Sequence, residues 1–121
     1  MGYYTEHNLS LVNDTTQNEF DIIKEFRKSS DNAKHALSEE GYCENSCKWY
    51  NCEKDLKEFS MKYPNIIFLL EGKGEDSEDM WRLYVKEGHS QRCKAEVVFP
   101  EFDEGKLLAD IRDSKIETIL K

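Results

Sequence analysis

A chain of 121 residues with 25 acidic and 17 basic side chains carries a formal net charge of −8. That length buries one ordinary core without disulfides or structural metals, and six Phe, six Tyr and two Trp concentrate buried area although only 38% of the chain is hydrophobic. The acidic balance excludes general affinity for nucleic acid or for an anionic membrane surface, which depends on Lys and Arg meeting phosphate.

Tyr3 to Val12 alternates loosely through Tyr4, His7, Leu9 and Leu11 and predicts a first strand. Asn13-Asp14-Thr15-Thr16 is then a turn and helix start in which Thr15 or Thr16 is the cap. Phe20, Ile23, Phe26 and Arg27, with Ile22 beside them, follow helical spacing as far as about Lys28. Ser29-Ser30-Asp31 interrupts that helix, and Asp31 is placed to cap a shorter one carrying Ala33, Ala36 and Leu37. Gly41 to Tyr50 is a loop with a short strand expected at Cys47–Tyr50. Asn51 caps the next helix, where Cys52, Leu56, Phe59 and Tyr63 form one apolar stripe and Glu53 and Asp55 suit the positive end of the helix dipole. Pro64 ends it.

Three strands come next. Ile66–Leu70 is the longest apolar run, too short to cross a bilayer, and predicts a central strand covered on part of both faces. Trp81, Leu83 and Val85 alternate with Arg82, Tyr84 and Lys86, and after the turn Glu87-Gly88-His89 the inward set is expected to be Cys93, Ala95, Val97 and Phe99. Pro100 stops this strand, and a terminal helix is expected from about 104 to 121. The order predicts an α+β fold, ferredoxin-like, with a largely antiparallel sheet and helices packed on one face, in a single domain over 1–121.

The chemistry-bearing residues form no recognisable catalytic set, which predicts a non-enzymatic protein with no cofactor. Cys43, Cys47 and Cys52 are dense enough to suggest zinc but lack tight C-x2-C knuckles. Cys52 belongs to a helix stripe and Cys93 to a strand's inward side, so both act as small hydrophobes, and Cys43 and Cys47 are the exposed thiols. His7, His35 and His89 have no spaced partner and are expected at the surface. Gly72-Lys73-Gly74 is followed by a strand, not by the helix N-terminus that a phosphate cradle needs, so the glycines are expected to serve a hairpin turn. From Glu71 through Glu75, Asp76 and Glu78 to Asp79 the chain holds five acids and one Lys, without the spacing of a calcium loop. Glu101, Asp103 and Glu104 form a second acidic cluster after the last strand. If both clusters lie at one end of the sheet, the chemistry they offer is recognition of a basic protein surface, with Trp81 and Tyr84 as nearby anchors.

The runs Lys48-Trp49-Tyr50, Lys62-Tyr63-Pro64, Leu70-Glu71-Gly72-Lys73-Gly74-Glu75 and Trp81-Arg82-Leu83-Tyr84 resemble a ferredoxin-like domain of unknown function that recurs in phage and mobile-element accessory proteins. The resemblance covers about residues 47–100, and Met1 to Leu11 resembles the opening strand of the same group. It lends no catalytic residues. It implies a small phage-type protein that binds host machinery, with inhibition of a host defence complex such as a CRISPR effector as the expected form. The charge and the character of the first residues add the expectation of a cytoplasmic protein with no direct nucleic-acid binding and no membrane. Self-association of a structural or regulatory phage protein through an open sheet edge is the second reading. A metal or redox protein using Cys43, Cys47 and Cys52 is the third.

Overall fold

Four strands form the sheet: β1 (Thr5–Leu11), β2 (Phe68–Gly74), β3 (Met80–Lys86) and β4 (His89–Lys94). They form one fully antiparallel sheet in the order β1-β2-β3-β4. The computed structural model describes residues 3–13 and 19–120, the last five of these by backbone only. Three helices, α1 (Glu19–Ser29), α2 (Asp31–Ala36) and α3 (Cys52–Ser60), intervene between β1 and β2. A fourth, α4 (Glu104–Leu120), comes after the sheet. This is the expected α+β arrangement, helices layered on an antiparallel sheet, and the layering is compatible with a ferredoxin-like sandwich.

The inward positions of the sheet run in register across the strands. Leu9 pairs with Leu70 and Leu70 with Leu83; Leu11 pairs with Phe68 and Phe68 with Val85. Helices α1 and α3 close over these rows with Ile22, Ile23, Phe26, Leu56 and Phe59, all buried. Phe59 is the hub, its ring 5.0 Å from Phe26 and 5.8 Å from Phe68, centroid to centroid. Edge and tilted contacts at such distances add about 0.5–1.5 kcal/mol each to the burial itself. Trp49, expected in a short strand, is buried in a loop, with its indole N–H donating to Asp55 at 2.8 Å. The expected strand at Cys47–Tyr50 reduces to a single bridge between Thr5 and Cys47.

Local signals account for most helix boundaries, with corrections. Ser30, not Asp31, caps α2: its hydroxyl accepts from the Ala33 N–H, leaving Asp31 in the first turn where its charge still suits the dipole. Asn51 holds the cap position of α3 without a side-chain hydrogen bond to it. Phe20, placed by spacing on the α1 stripe, is exposed at the start of the helix, and Ile22, Ile23 and Phe26 form the buried face. The expected Thr15 or Thr16 cap lies outside the described residues.

The sheet departs from expectation in two places. Glu71, Gly72, Lys73 and Gly74 belong to β2 and not to a turn. Gly72 lies between His7 and Trp81 on the inward side, and a Cβ built there would run into the Trp81 indole. The missing side chain is the space that the tryptophan fills. The second departure concerns β4. The turn has two residues, Glu87 and Gly88, both at positive φ (49° and 77°), as tight hairpins require. This register pairs Lys86 with His89 and Trp81 with Lys94, so β3 runs out at Met80, whose carbonyl accepts from the Ala95 N–H. Among the described residues no strand lies beside the chain beyond Ala95. Ser90, Arg92 and Lys94 therefore hold the inward positions, Cys93 sits opposite Arg82 on the open face, and Val97, Val98 and Phe99 are exposed. Helix α4 lies beyond them. No other element packs substantially on it among the described residues, and Leu107, Leu108 and Ile111 are exposed.

Filling the Gly72 position tests the role of that glycine in the strand. Gly72→Val is expected to lower stability by about 1–3 kcal/mol, as overpacking does, seen as a lower urea midpoint. Lys73→Thr, one residue away and exposed, is expected to change it by less than ~0.5 kcal/mol.

Candidate functional site: an acidic loop tied to the first strand

Residues 75–79 connect β2 to β3, and the segment is held by its own backbone. Gly74 N–H donates to the Asp79 carbonyl at 2.8 Å, Asp79 N–H to the Asp76 carbonyl at 3.0 Å, and Met80 N–H to the Glu78 carbonyl at 3.0 Å. The start of the chain ties it down further. The Tyr3 hydroxyl donates to Asp79 Oδ2 at 2.5 Å and accepts from the Asp76 N–H at 3.2 Å, while the Tyr4 N–H donates to Glu75 Oε1 at 3.0 Å. Gly74 again supplies room, because a Cβ there would meet Asp79 and the Tyr3 ring. The hydrogen bond to Asp79 raises the Tyr3 phenol above its ordinary value, so the group stays a proton donor.

These bonds sort the acids. Glu75 and Asp79 have structural partners in the loop, and Glu71 lies on the open face of the sheet 3.4 Å from Arg82. Asp76 and Glu78 are exposed, and neither side chain is in an ion pair among the described residues. Beside them run Lys94, Ala95 and Val97, which with Tyr3 and residues 76–79 line one open cleft. Glu101 and Asp103 are exposed on the link to α4, where the Asp103 carboxylate accepts from the Lys106 N–H at 3.1 Å, and Glu104 opens the helix. No hydrogen bond or ion pair joins this second cluster to the loop among the described residues. The two expected anchors lie elsewhere. Trp81 is half-buried on the helix-covered side, with the Arg92 guanidinium 4.3 Å from its ring centre. Tyr84 is half-buried on the open face between Leu69 and Gln91.

That open face carries a cleft of about 430 Å³ lined by Asn8, Glu71, Met80, Arg82, Cys93 and neighbours. Two of its charged lining residues, Glu71 and Arg82, are engaged with each other. Cys43 and Cys47 are half-buried near one another in the loop before α3, and Cys52 is buried. Burial foremost, and then the neighbouring Cys43, pushes the Cys47 thiol up; burial does the same to Cys52. Protonated thiols are poor nucleophiles and poor ligands. Among the described residues no three His, Cys, Asp or Glu side chains gather as a metal site.

His7 departs most from expectation. It is not at the surface but 1% exposed, its ring 5.3 Å from Trp49 and 6.0 Å from Trp81, with Nδ1 lacking a hydrogen-bond partner among the described residues. The signal was its phase: His7, Leu9 and Leu11 alternate together. Burial lowers its pKa to about 4, opposed only in part by a hydrogen bond with the Thr5 backbone.

No family model matches the chain, and no curated protein or solved structure does. No helix among the described residues is long and apolar enough to cross a membrane.

The buried imidazole sets a pH dependence. Below the ordinary histidine value of 6.5 the unfolded chain takes up a proton that the native chain refuses, so this contribution is complete above that pH and is lost as pH falls toward 4. The loss reaches about 3 kcal/mol by pH 4. His7→Leu is expected to flatten the difference between urea unfolding curves at pH 7 and pH 4.5 relative to the parent protein. Equal slopes in the two proteins would place the effect in the carboxylates.

Proposed function

We propose that the protein is a non-enzymatic binding module that docks its acidic β2–β3 loop on a basic surface of a partner protein. One observation carries this reading: the loop is tied by Tyr3, Tyr4 and its own backbone, while Asp76 and Glu78 are exposed on it with no ion pair among the described residues. Charges held on a fixed backbone do not lose the ordering entropy that a loose loop pays on binding. They also steer a basic partner from a distance. A net charge of −8 over the whole chain acts in the same direction.

The partner class with the largest basic surface is a complex that handles nucleic acid. An inhibitor that covers the nucleic-acid channel of a host defence complex, a CRISPR effector in the form the phage-type resemblance implies, is the specific version of this function. Glu101, Asp103 and Glu104 would extend the acidic surface along the exposed link. The proposed surface leaves out Trp81, which is half-buried with the Arg92 guanidinium over its ring.

The test is binding to purified CRISPR effector complexes across a salt series. Affinity is expected to fall steeply between ~50 and ~300 mM salt, since the screening length shrinks from about 14 Å to about 6 Å over that range. The double variant Asp76→Lys/Glu78→Lys is expected to weaken binding at least ~10-fold through the association rate, with an unchanged unfolding midpoint. Affinity indifferent to salt and to both reversals would rule the reading out.

A further inference from the structure

The sheet has one guarded edge and one open edge. Along β1, Thr5 exchanges hydrogen bonds with Cys47 (both 3.0 Å), and Leu9 N–H donates to the Gly41 carbonyl at 2.7 Å, so the segment before α3 covers that side. Strand β4 has β3 on one side and, among the described residues, no strand on the other. Past its end the chain continues with Glu96, Val97, Val98 and Phe99, the last three 63%, 77% and 84% exposed. β-branched and aromatic residues favour an extended, paired backbone. An open edge prolonged by such a run is a template for another strand.

The backbone pattern limits what that strand can be. The tight hairpin pairs Lys86 with His89, and Ala95 N–H bonds to Met80, so residues 89, 91, 93 and 95 turn their backbone groups toward β3. By the alternation of an antiparallel ladder, Ser90, Arg92, Lys94 and Glu96 turn theirs outward. A copy of the same segment, running antiparallel about a two-fold axis, pairs even-numbered residues with even-numbered residues. Three registers bring the centre of the segment to the axis. One sets Lys94 against Lys94 and another Glu96 against Glu96, and like charges directly opposite are destabilising. The first also sets Arg92 against Glu96, but Arg92 is already engaged within its own chain by Glu53 at 3.9 Å and by the Trp81 ring. The third puts the axis at Ala95, sets Lys94 of each chain against Glu96 of the other, and Arg92 against Val98. Neither Lys94 nor Glu96 is in an ion pair within the chain among the described residues. Pro100, with no N–H to donate, ends the pairing just beyond it.

We propose that two copies of this chain join through β4, extended to Val98, in an antiparallel pair centred on Ala95. The pairing continues one sheet across both copies and covers Val97 and Val98. It leaves the acidic loops on either side of the axis about three strand spacings, or roughly 14 Å, apart. That is beyond a Debye length at ordinary salt, so their repulsion is largely screened. The proposal does not rest on the basic-partner reading, because it uses the edge of the sheet and not Asp76 or Glu78.

Sedimentation equilibrium on the full chain tests it. The protein is expected to show a concentration-dependent dimer. Lys94→Glu and Glu96→Lys are each expected to raise its dissociation constant about 10-fold, by turning two attractive pairs into two repulsive ones. The double variant Lys94→Glu/Glu96→Lys restores opposite charges and is expected to recover most of the affinity. In a Cys93→Ser background, Ala95→Cys is expected to form a disulfide-linked dimer on mild oxidation, since facing residues at a non-hydrogen-bonded pair are within disulfide reach. A protein that stays monomeric at the highest soluble concentration overturns the proposal. So does a dimer that the double reversal fails to rescue, or one that Ala95→Cys does not crosslink.

Discussion

One absent side chain organises the sheet. At Gly72 the Trp81 indole occupies the volume that a Cβ would need, and it lies between the buried His7 ring and the Arg92 guanidinium. This row spans all four strands, because His7 pairs with Gly72, Gly72 with Trp81 and Trp81 with Lys94. A slip of one residue at any pairing would turn the core side chains to the open face and leave the indole without its slot. The same register carries Tyr3 to the mouth of the β2–β3 connection, where its hydroxyl finds Asp79 and the Asp76 amide. The acidic loop is therefore positioned by packing that begins two residues inside the sheet.

Much of the fold was legible because it obeys simple periodicities. The Cys52, Leu56 and Phe59 stripe, the inward Trp81, Leu83 and Val85, and the tight turn before His89 all appear where their spacing puts them. What could not be read is what depends on pairing partners. The alternation Cys93, Ala95, Val97, Phe99 is a good strand pattern, but β3 is only long enough to pair as far as Ala95. Local propensity proposes a strand; a neighbour has to accept it. The glycines at 72 and 74 look like turn residues by composition, and only the approach of Trp81, Tyr3 and Asp79 shows that they are gaps for other side chains.

The candidate site was legible in composition and not in organisation. Five acids between Glu71 and Asp79 stand out in the sequence, yet they divide into three kinds. Glu71 belongs to an ion pair on the open face, Glu75 and Asp79 hold the loop to Tyr4 and Tyr3, and Asp76 and Glu78 are left exposed. Tyr3 and Tyr4, which the sequence places only at the start of the first strand, are the residues that convert a charge run into a fixed surface. His7 illustrates the same limit from the other side: one histidine in a strand has no spacing signature, and its burial comes only from sharing a phase with Leu9.

The unpacked helix α4 has a consequence for how unfolding would be observed. Both tryptophans, Trp49 and Trp81, sit in the sheet-and-helix body, while α4 contributes 17 helical residues on which no other element packs substantially among the described residues. An isolated helix of that length is marginal in water. In a single chain, tryptophan fluorescence and helical circular dichroism would then report two different equilibria, a cooperative transition of the body and a gradual melting of the arm. One midpoint would not describe both.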